Sequence, residues 1–333
     1  MGQLVIGVDL GGTKLAAGLV DRHGLVVAQA RWPRPVRAYD QALDAIEALA
    51  GELRREAAAR GHNVRAAGVA AAALFDADRA RVLYAPILEW RDRRFLDDLS
   101  ERLALPVVVD NDANAAAWGE YRHGAGAGER CVVMLTLGTG VGGGVVIDGR
   151  LLSGGSGLAA ELGHLKVGAE GRACPCGRED CLEQYASGDA LGRAARTAVA
   201  EHPARGRRLL AAAGGDRDRI DGRLVTAAAQ DEDPLALRLV GEAGTWLGRG
   251  LAQIAAVLDP SVVLVGGGLA LADELLLAPA RAAYDASVSL HPLRSPARIR
   301  TAALGNAAGV IGIAALARSG ALSAPRTLDQ VSH

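Results

Sequence analysis

The chain has 333 residues, 50% of them hydrophobic, enough to fill the cores of two domains. Its formal net charge of -1 supplies no basic field for nucleic acid or an anionic membrane. No apolar run reaches the ~18 residues of a bilayer span, and no charged-then-apolar leader opens the sequence, so the expected setting is the cytoplasm and the expected partners are small molecules or further copies of the chain.

In chain order, strands are predicted at 4–8, 15–20 and 25–30, joined by tight turns, the second at Arg22-His23-Gly24. Leu43, Ile46, Leu49, Leu53 and Ala57 then recur at steps of three and four, which predicts an amphipathic helix over 40–60. A buried strand follows at 66–73, and a short β-branched one at 106–109. The latter runs into Asp110-Asn111-Asp112-Ala113-Asn114 ahead of an alanine-rich helix. Polar groups at the end of a buried strand, where a helix begins, sit where α/β folds place their ligands. Residues 153–187 are polar and glycine-rich and carry Cys174, Cys176 and Cys181; Cys131 falls inside a strand and reads as core. Helices are expected at 188–200, 224–230 and 234–258, with an Arg-, Gly- and Asp-rich loop at 204–223. A strand at 261–265 meets Gly266-Gly267-Gly268-Leu269, and a helix, a strand at 298–302 and a terminal helix near 307–318 complete the chain.

Two of these stretches repeat each other. Val5-Ile6-Gly7-Val8-Asp9-Leu10-Gly11-Gly12-Thr13-Lys14 and Val133-Met134-Leu135-Thr136-Leu137-Gly138-Thr139-Gly140 are each an apolar run, a glycine loop and a further apolar run that ends near an Asp and a Gly. Strand, glycine loop, strand, turn, strand, written twice, predicts two similar lobes that each offer backbone N–H groups to phosphate. Lys14 is one of only two lysines, with Lys166, in a chain that otherwise uses Arg.

Asp9-Leu-Gly-Gly-Thr-Lys14, Asn111-Asp-Ala-Asn114 with Gly119-Glu120, Thr136-Leu-Gly-Thr-Gly140, Glu161-Leu-Gly-His164, the cysteine cluster and Gly266-Gly-Gly-Leu269 occur in this order. In these motifs the chain resembles the ROK family of bacterial sugar kinases, especially its ATP-dependent glucokinases of actinobacterial type. The resemblance implies an α/β protein of the two-lobed actin/hexokinase-like ATPase fold, a duplicated ribonuclease H-like domain, with ATP between the lobes and a hexose deeper in the same cleft. On that pattern residues 1–112 with a C-terminal helix at 304–320 make the small lobe. Residues 113–303 make the large lobe, with a zinc loop at 164–181. A homodimer is implied as well.

His164, Cys174, Cys176 and Cys181 supply one imidazole and three thiolates, a closed tetrahedral set suited to a structural zinc, and the spacing matches the family's zinc loop. The residues alone leave a disulfide or unrelated thiols open. By resemblance Glu161, His164, Glu183, Asn111 and Ala73 line the sugar site, His164 serving both metal and sugar because imidazole has two nitrogens. Asp112 is the candidate base that takes the proton of the attacking hydroxyl; read alone, Asn111-Asp112 is also a helix N-cap. Asp9 is expected at the Mg²⁺ end of Mg·ATP, Gly11, Gly12, Thr13, Lys14, Gly138, Thr139 and Gly140 at the phosphates, and Gly266, Gly267 and Gly268 near adenosine. The chain departs from the family pattern where Ala72-Ala73 replaces Pro-Gly, Ile87-Leu88 replaces Asn-Leu, and Ala160 and Asp180 each replace a glycine. These changes at the sugar side predict altered sugar preference with phosphoryl transfer retained. The alternative is a sugar-binding regulator or a catalytically weak relative.

Overall fold

The computed structural model of the chain describes residues 3–12, 14–290, 293 and 295–322. The first apolar runs form a meander, β1 (Gln3–Leu10), β2 (Leu15–Val20) and β3 (Val26–Trp32), in which both neighbouring pairs are antiparallel. Helix α1 (Tyr39–Ala59) then carries the chain to β4 (Asn63–Ala71), which pairs parallel with β1. A small three-stranded sheet of β5 (Leu74–Phe75), β6 (Val82–Ala85) and β7 (Trp90–Arg93) follows, with helix α2 (Phe95–Leu103). The strands are too short to carry a period, whereas α2 buries Phe95, Leu99 and Leu103 at steps of four, a helical period present in the sequence. Sheet and helix are held by the aromatic cluster of Tyr39, Phe75, Trp90 and Phe95. Strand β8 (Val107–Asn111) completes the main sheet, in the order β3-β2-β1-β4-β8, and runs directly into α3 (Asp112–His123).

The second five-stranded sheet has the order β11-β10-β9-β12-β13. Its strands are β9 (Cys131–Leu137), β10 (Val141–Ile147), β11 (Arg150–Leu151), β12 (Val262–Gly266) and β13 (Arg298–Thr301). As in the first sheet, an antiparallel hairpin is followed by two parallel strands. The ribonuclease H-like plan is therefore present twice, as in the actin/hexokinase-like fold. Cys131 is buried in β9, as expected of a core residue. Between β11 and β12 come α4 (Glu183–Ala186), α5 (Gly188–Glu201), α6 (Arg207–Ala212), α7 (Gly222–Gln230) and the long α8 (Pro234–Leu258), and α9 (Glu274–Ser287) leads into β13. The stretch 204–223, expected as a loop, contains α6 and the short turn Arg217–Arg219, because buried Leu209 and Ile220 anchor it despite its polar composition.

The last helix, α10 (Ala308–Leu322), belongs to the first sheet. Alternation along β1 sends Leu4, Ile6, Val8 and Leu10 to the face covered by α1, and Val5 to the face where Val310, Ala314 and Ala317 of α10 pack. The approach is close enough that a Cβ on Gly68 would meet the Ile313 carbonyl, and one on Gly312 would meet the Ala115 carbonyl of α3. Two compact units result: Met1–Ala127 with Leu151–Ala159 and Asn306–His333, and Gly128–Arg150 with Ala160–Gly305. The sequence places the boundary after 112; in the structure α3 stays with the first unit because α10 packs backbone-close against it.

Candidate functional site

In the first unit the β1–β2 turn and the β8–α3 junction bring acidic groups into electrostatic contact. Asp9, at the end of β1, has its carboxyl pushed up to about 6, chiefly by burial and further by the negative charge of Asp112, with Lys14 opposing. Asp112 opens α3; burial raises its carboxyl too, while the Ala113 N–H, its own N–H and Lys14 pull the other way. Its Oδ1 accepts from the Ala113 N–H at 2.9 Å. Both side chains remain partly exposed, so both are reachable. The turn closes with the Gly11 N–H donating to the Lys14 carbonyl at 3.0 Å. Gly309, near the start of α10, comes so close to Asp9 that a Cβ there would lie 3.0 Å from its Cγ. Thr13, a predicted phosphate contact, lies outside the described residues.

Asn111 is the N-cap of α3: its Oδ1 accepts from the Ala113 and Asn114 N–H groups at 2.8 and 3.1 Å. Its Nδ2 donates to the Ala73 carbonyl at 3.2 Å. The capping reading of Asn111 is thus correct, and its amide also brings the Ala73 carbonyl to the β8–α3 junction. Sequence reasoning missed the support behind this junction. Buried Asp110 accepts from the Asn111 N–H (2.7 Å) and Asn114 Nδ2 (3.1 Å), and pairs with Arg79 Nε at 3.2 Å. Arg79 also donates to the Gly157 carbonyl at 2.8 Å. The run around Asp112 was the signal for Asp110; nothing local marks Arg79. Ile87, on the β6–β7 turn, lies directly over Gly12, where a Cβ would strike its Cγ2.

In the second unit, the turn after β9 is closed by the Gly138 N–H donating to the Gly140 carbonyl (3.0 Å), and its Gly138 carbonyl accepts from the Gly188 N–H (2.7 Å). Gly267, with φ of 88°, brings the turn after β12 against the Leu137 carbonyl, so Gly266–Gly268 lies beside Gly138–Gly140. Glu183, the first residue of α4, reaches the same turn: a Cβ on Gly140 would be 2.9 Å from its Oε2. Glu161 precedes the short turn Leu162–His164, its carbonyl accepting from the His164 N–H at 3.1 Å. His164 Nδ1 lies 3.8 Å from Glu183 Oε1. The stretch is a single tight turn.

One ligand atom from each of His164, Cys174, Cys176 and Cys181 lies within 4.8 Å of the others. Cys174 Sγ is 3.7 Å from His164 Nδ1, and Cys176 Sγ is 3.6 Å from Cys181 Sγ. Zinc bonds of about 2.0–2.3 Å in a tetrahedron give ligand separations of about 3.5–3.8 Å, so the donor set fits zinc in both chemistry and spacing. No disulfide joins these thiols.

The profile of the ROK family matches residues 5–319. The chain is 42% identical over 315 residues to a glucokinase of Streptomyces coelicolor, covering 95% of this chain and 98% of the relative. It is 36% identical over 316 residues to a glucokinase of Halalkalibacterium halodurans, covering 92% of each. Among solved structures, a ROK family glucokinase from Streptomyces griseus in complex with glucose and AMPPNP matches with a TM-score of 0.87 at 43% identity, covering 95% of this chain and 100% of that one.

Proposed function

This chain belongs to the ROK family, and from that premise we propose that it is an ATP-dependent sugar kinase. It moves the γ-phosphoryl of ATP to the 6-hydroxyl of a hexose, with glucose the first choice. The observation that carries the reading is Asp112, a desolvated but reachable carboxylate at a strand-to-helix junction, electrostatically joined to Asp9 and Lys14. Asp112 accepts the hydroxyl proton as the sugar oxygen bonds to the γ-phosphorus and the bond to the β-phosphate oxygen breaks, releasing ADP. A carboxyl raised by burial is a better base than an ordinary one, because its proton affinity lies nearer the working pH.

Asp9 would hold Mg²⁺: burial and the neighbouring Asp112 charge raise its carboxyl, two carboxylates so placed favour a cation between them and the phosphates, and a hard cation prefers oxygen. The metal would neutralise charge on the phosphates. Gly11, Gly12, Thr13, Lys14, Gly138, Thr139 and Gly140 are assigned to the phosphates, and Gly266, Gly267 and Gly268 to adenosine. Asn111, Ala73, Glu161, His164 and Glu183 are assigned to the sugar. Zinc on His164, Cys174, Cys176 and Cys181 would be structural, shaping the sugar side through His164 without taking part in the reaction. A cytoplasmic homodimer completes the proposal.

ADP release over glucose, mannose, fructose, N-acetylmannosamine and glucosamine tests it. Release with glucose that Asp112→Asn abolishes is the expected result. Release from none of the five would transfer support to the sugar-binding regulator.

A further inference from the structure

Asp180, the residue before the last cysteine, has a left-handed backbone with φ of 60°, a conformation that favours glycine. Its carboxylate is nonetheless 2% exposed and fully engaged. Oδ1 accepts from the Arg172 N–H at 3.0 Å and the Tyr185 hydroxyl at 2.5 Å, Oδ2 accepts from the Gly171 N–H at 3.2 Å, and the Lys166 ammonium stands 3.8 Å away. On the main chain, the Asp180 N–H donates to the Arg172 carbonyl at 2.8 Å, and the Val167 N–H donates to the Asp180 carbonyl at 2.9 Å. Tyr185 is itself held between the Trp246 ring, 4.3 Å away, and the Arg172 guanidinium, 4.0 Å away. One side chain therefore ties together the limb at 166–167, the limb at 171–172 and helix α4. Cys174 and Cys176 project from the loop these limbs enclose, and Cys181 is the next residue in the chain.

We propose that Asp180 is the positioning residue of the zinc loop, an inference that rests on the zinc reading of the four-ligand set. It is not itself a ligand, because both of its oxygens already accept from N–H and O–H donors. Its part is to fix the main chain on either side of Cys181 and to hold the 171–172 limb against it. The thiolates then stand at ligating separation before the ion arrives, and little ordering remains to be done on binding. A carboxylate is retained at a glycine-favouring backbone because three hydrogen bonds and an ion pair hold it there.

Asp180→Gly separates this role from backbone strain, since glycine adopts the same φ freely. Full-length protein is titrated with zinc in competition with a chromophoric chelator, and metal-free samples are melted in parallel. The expected result is a fall in zinc affinity of about 10- to 100-fold, the usual cost of losing a group that orients a ligand, together with a lower metal-free melting temperature, because buried donors lose their acceptor. Tyr185→Phe, which deletes one donor to the carboxylate, gives a smaller fall. Unchanged affinity in Asp180→Gly overturns the proposal, and should that variant fail to fold, unchanged affinity in Tyr185→Phe does so. Zinc uptake by the unsubstituted chain with no effect of either substitution sinks this inference alone. No uptake by the unsubstituted chain sinks the zinc reading with it.

Discussion

The β1–β2 and β9–β10 hairpins share a register: Asp9 stands across from Ala16 in the first as Thr136 stands across from Gly142 in the second, and each hairpin closes on a glycine turn. Around the first turn are two carboxylates with raised pKa values and the Lys14 ammonium. Around the second are backbone groups, the Gly266–Gly268 turn and Glu183. A duplicated scaffold has thus been given one turn loaded with two carboxylates and an ammonium, fit for a cation and a proton, and one turn built chiefly of backbone groups with Glu183 beside it, fit for close backbone approach. The topology is common to both, and the chemistry resides in the few side chains at the strand ends.

The sharpest way to break that contrast is Asp112→Asn. We expect kcat to fall by about 10²- to 10⁴-fold, with glucose binding retained by calorimetry, whereas Thr136→Val on β9, just before the second turn, should cost no more than about tenfold, the worth of one neutral hydrogen bond. Because burial raises both acids, kcat/KM of the unsubstituted protein should decline as pH falls, with its acid limb above the ordinary carboxylate range.

Asp9→Asn should act in two directions. Activity should drop by about two orders of magnitude with loss of the cation site, while the ligand-free protein becomes more stable at neutral pH. A folded pKa of about 6 against the ordinary 3.8 means that the native state holds this proton more tightly than the unfolded one. The stability contributed by Asp9 is therefore complete below pH 4 and is lost as pH rises through 6. Removing its charge should gain on the order of 2 kcal/mol at pH 7.5 and nothing near pH 3, measured by urea unfolding. A smaller change is expected from Cys176→Ser, which should raise the KM for glucose about tenfold and leave the KM for ATP nearly unchanged. Ile87→Asn, beside Gly12, should alter the ratio of glucose to mannose turnover by roughly 2- to 13-fold, one hydrogen bond's worth.

The twin sheets were legible because each depends on local signals: apolar runs of strand length, glycine turns and the three-and-four spacing of α1. The His164 and cysteine cluster was legible for the same reason, with its three cysteines falling within eight residues. The sequence did not reveal what depends on distant pairs. Gly309 against Asp9, Arg79 behind Asp110 and Ile87 over Gly12 have no local signature, since each partner looks ordinary in its own window. Asn111 shows the limit from the other side. Its place in the motif was plain, but that its amide also caps α3 and holds the Ala73 carbonyl depends on a partner 38 residues away.

Helix α10 has a consequence for how the protein is made. It lies far downstream of β1 in the sequence, yet it covers one face of the sheet that contains β1 and walls in the acid at position 9. During synthesis the strands of that sheet must wait for α10 before the face is covered. A nascent product lacking the helix leaves it bare, so the surroundings of Asp9 are completed only once α10 has emerged.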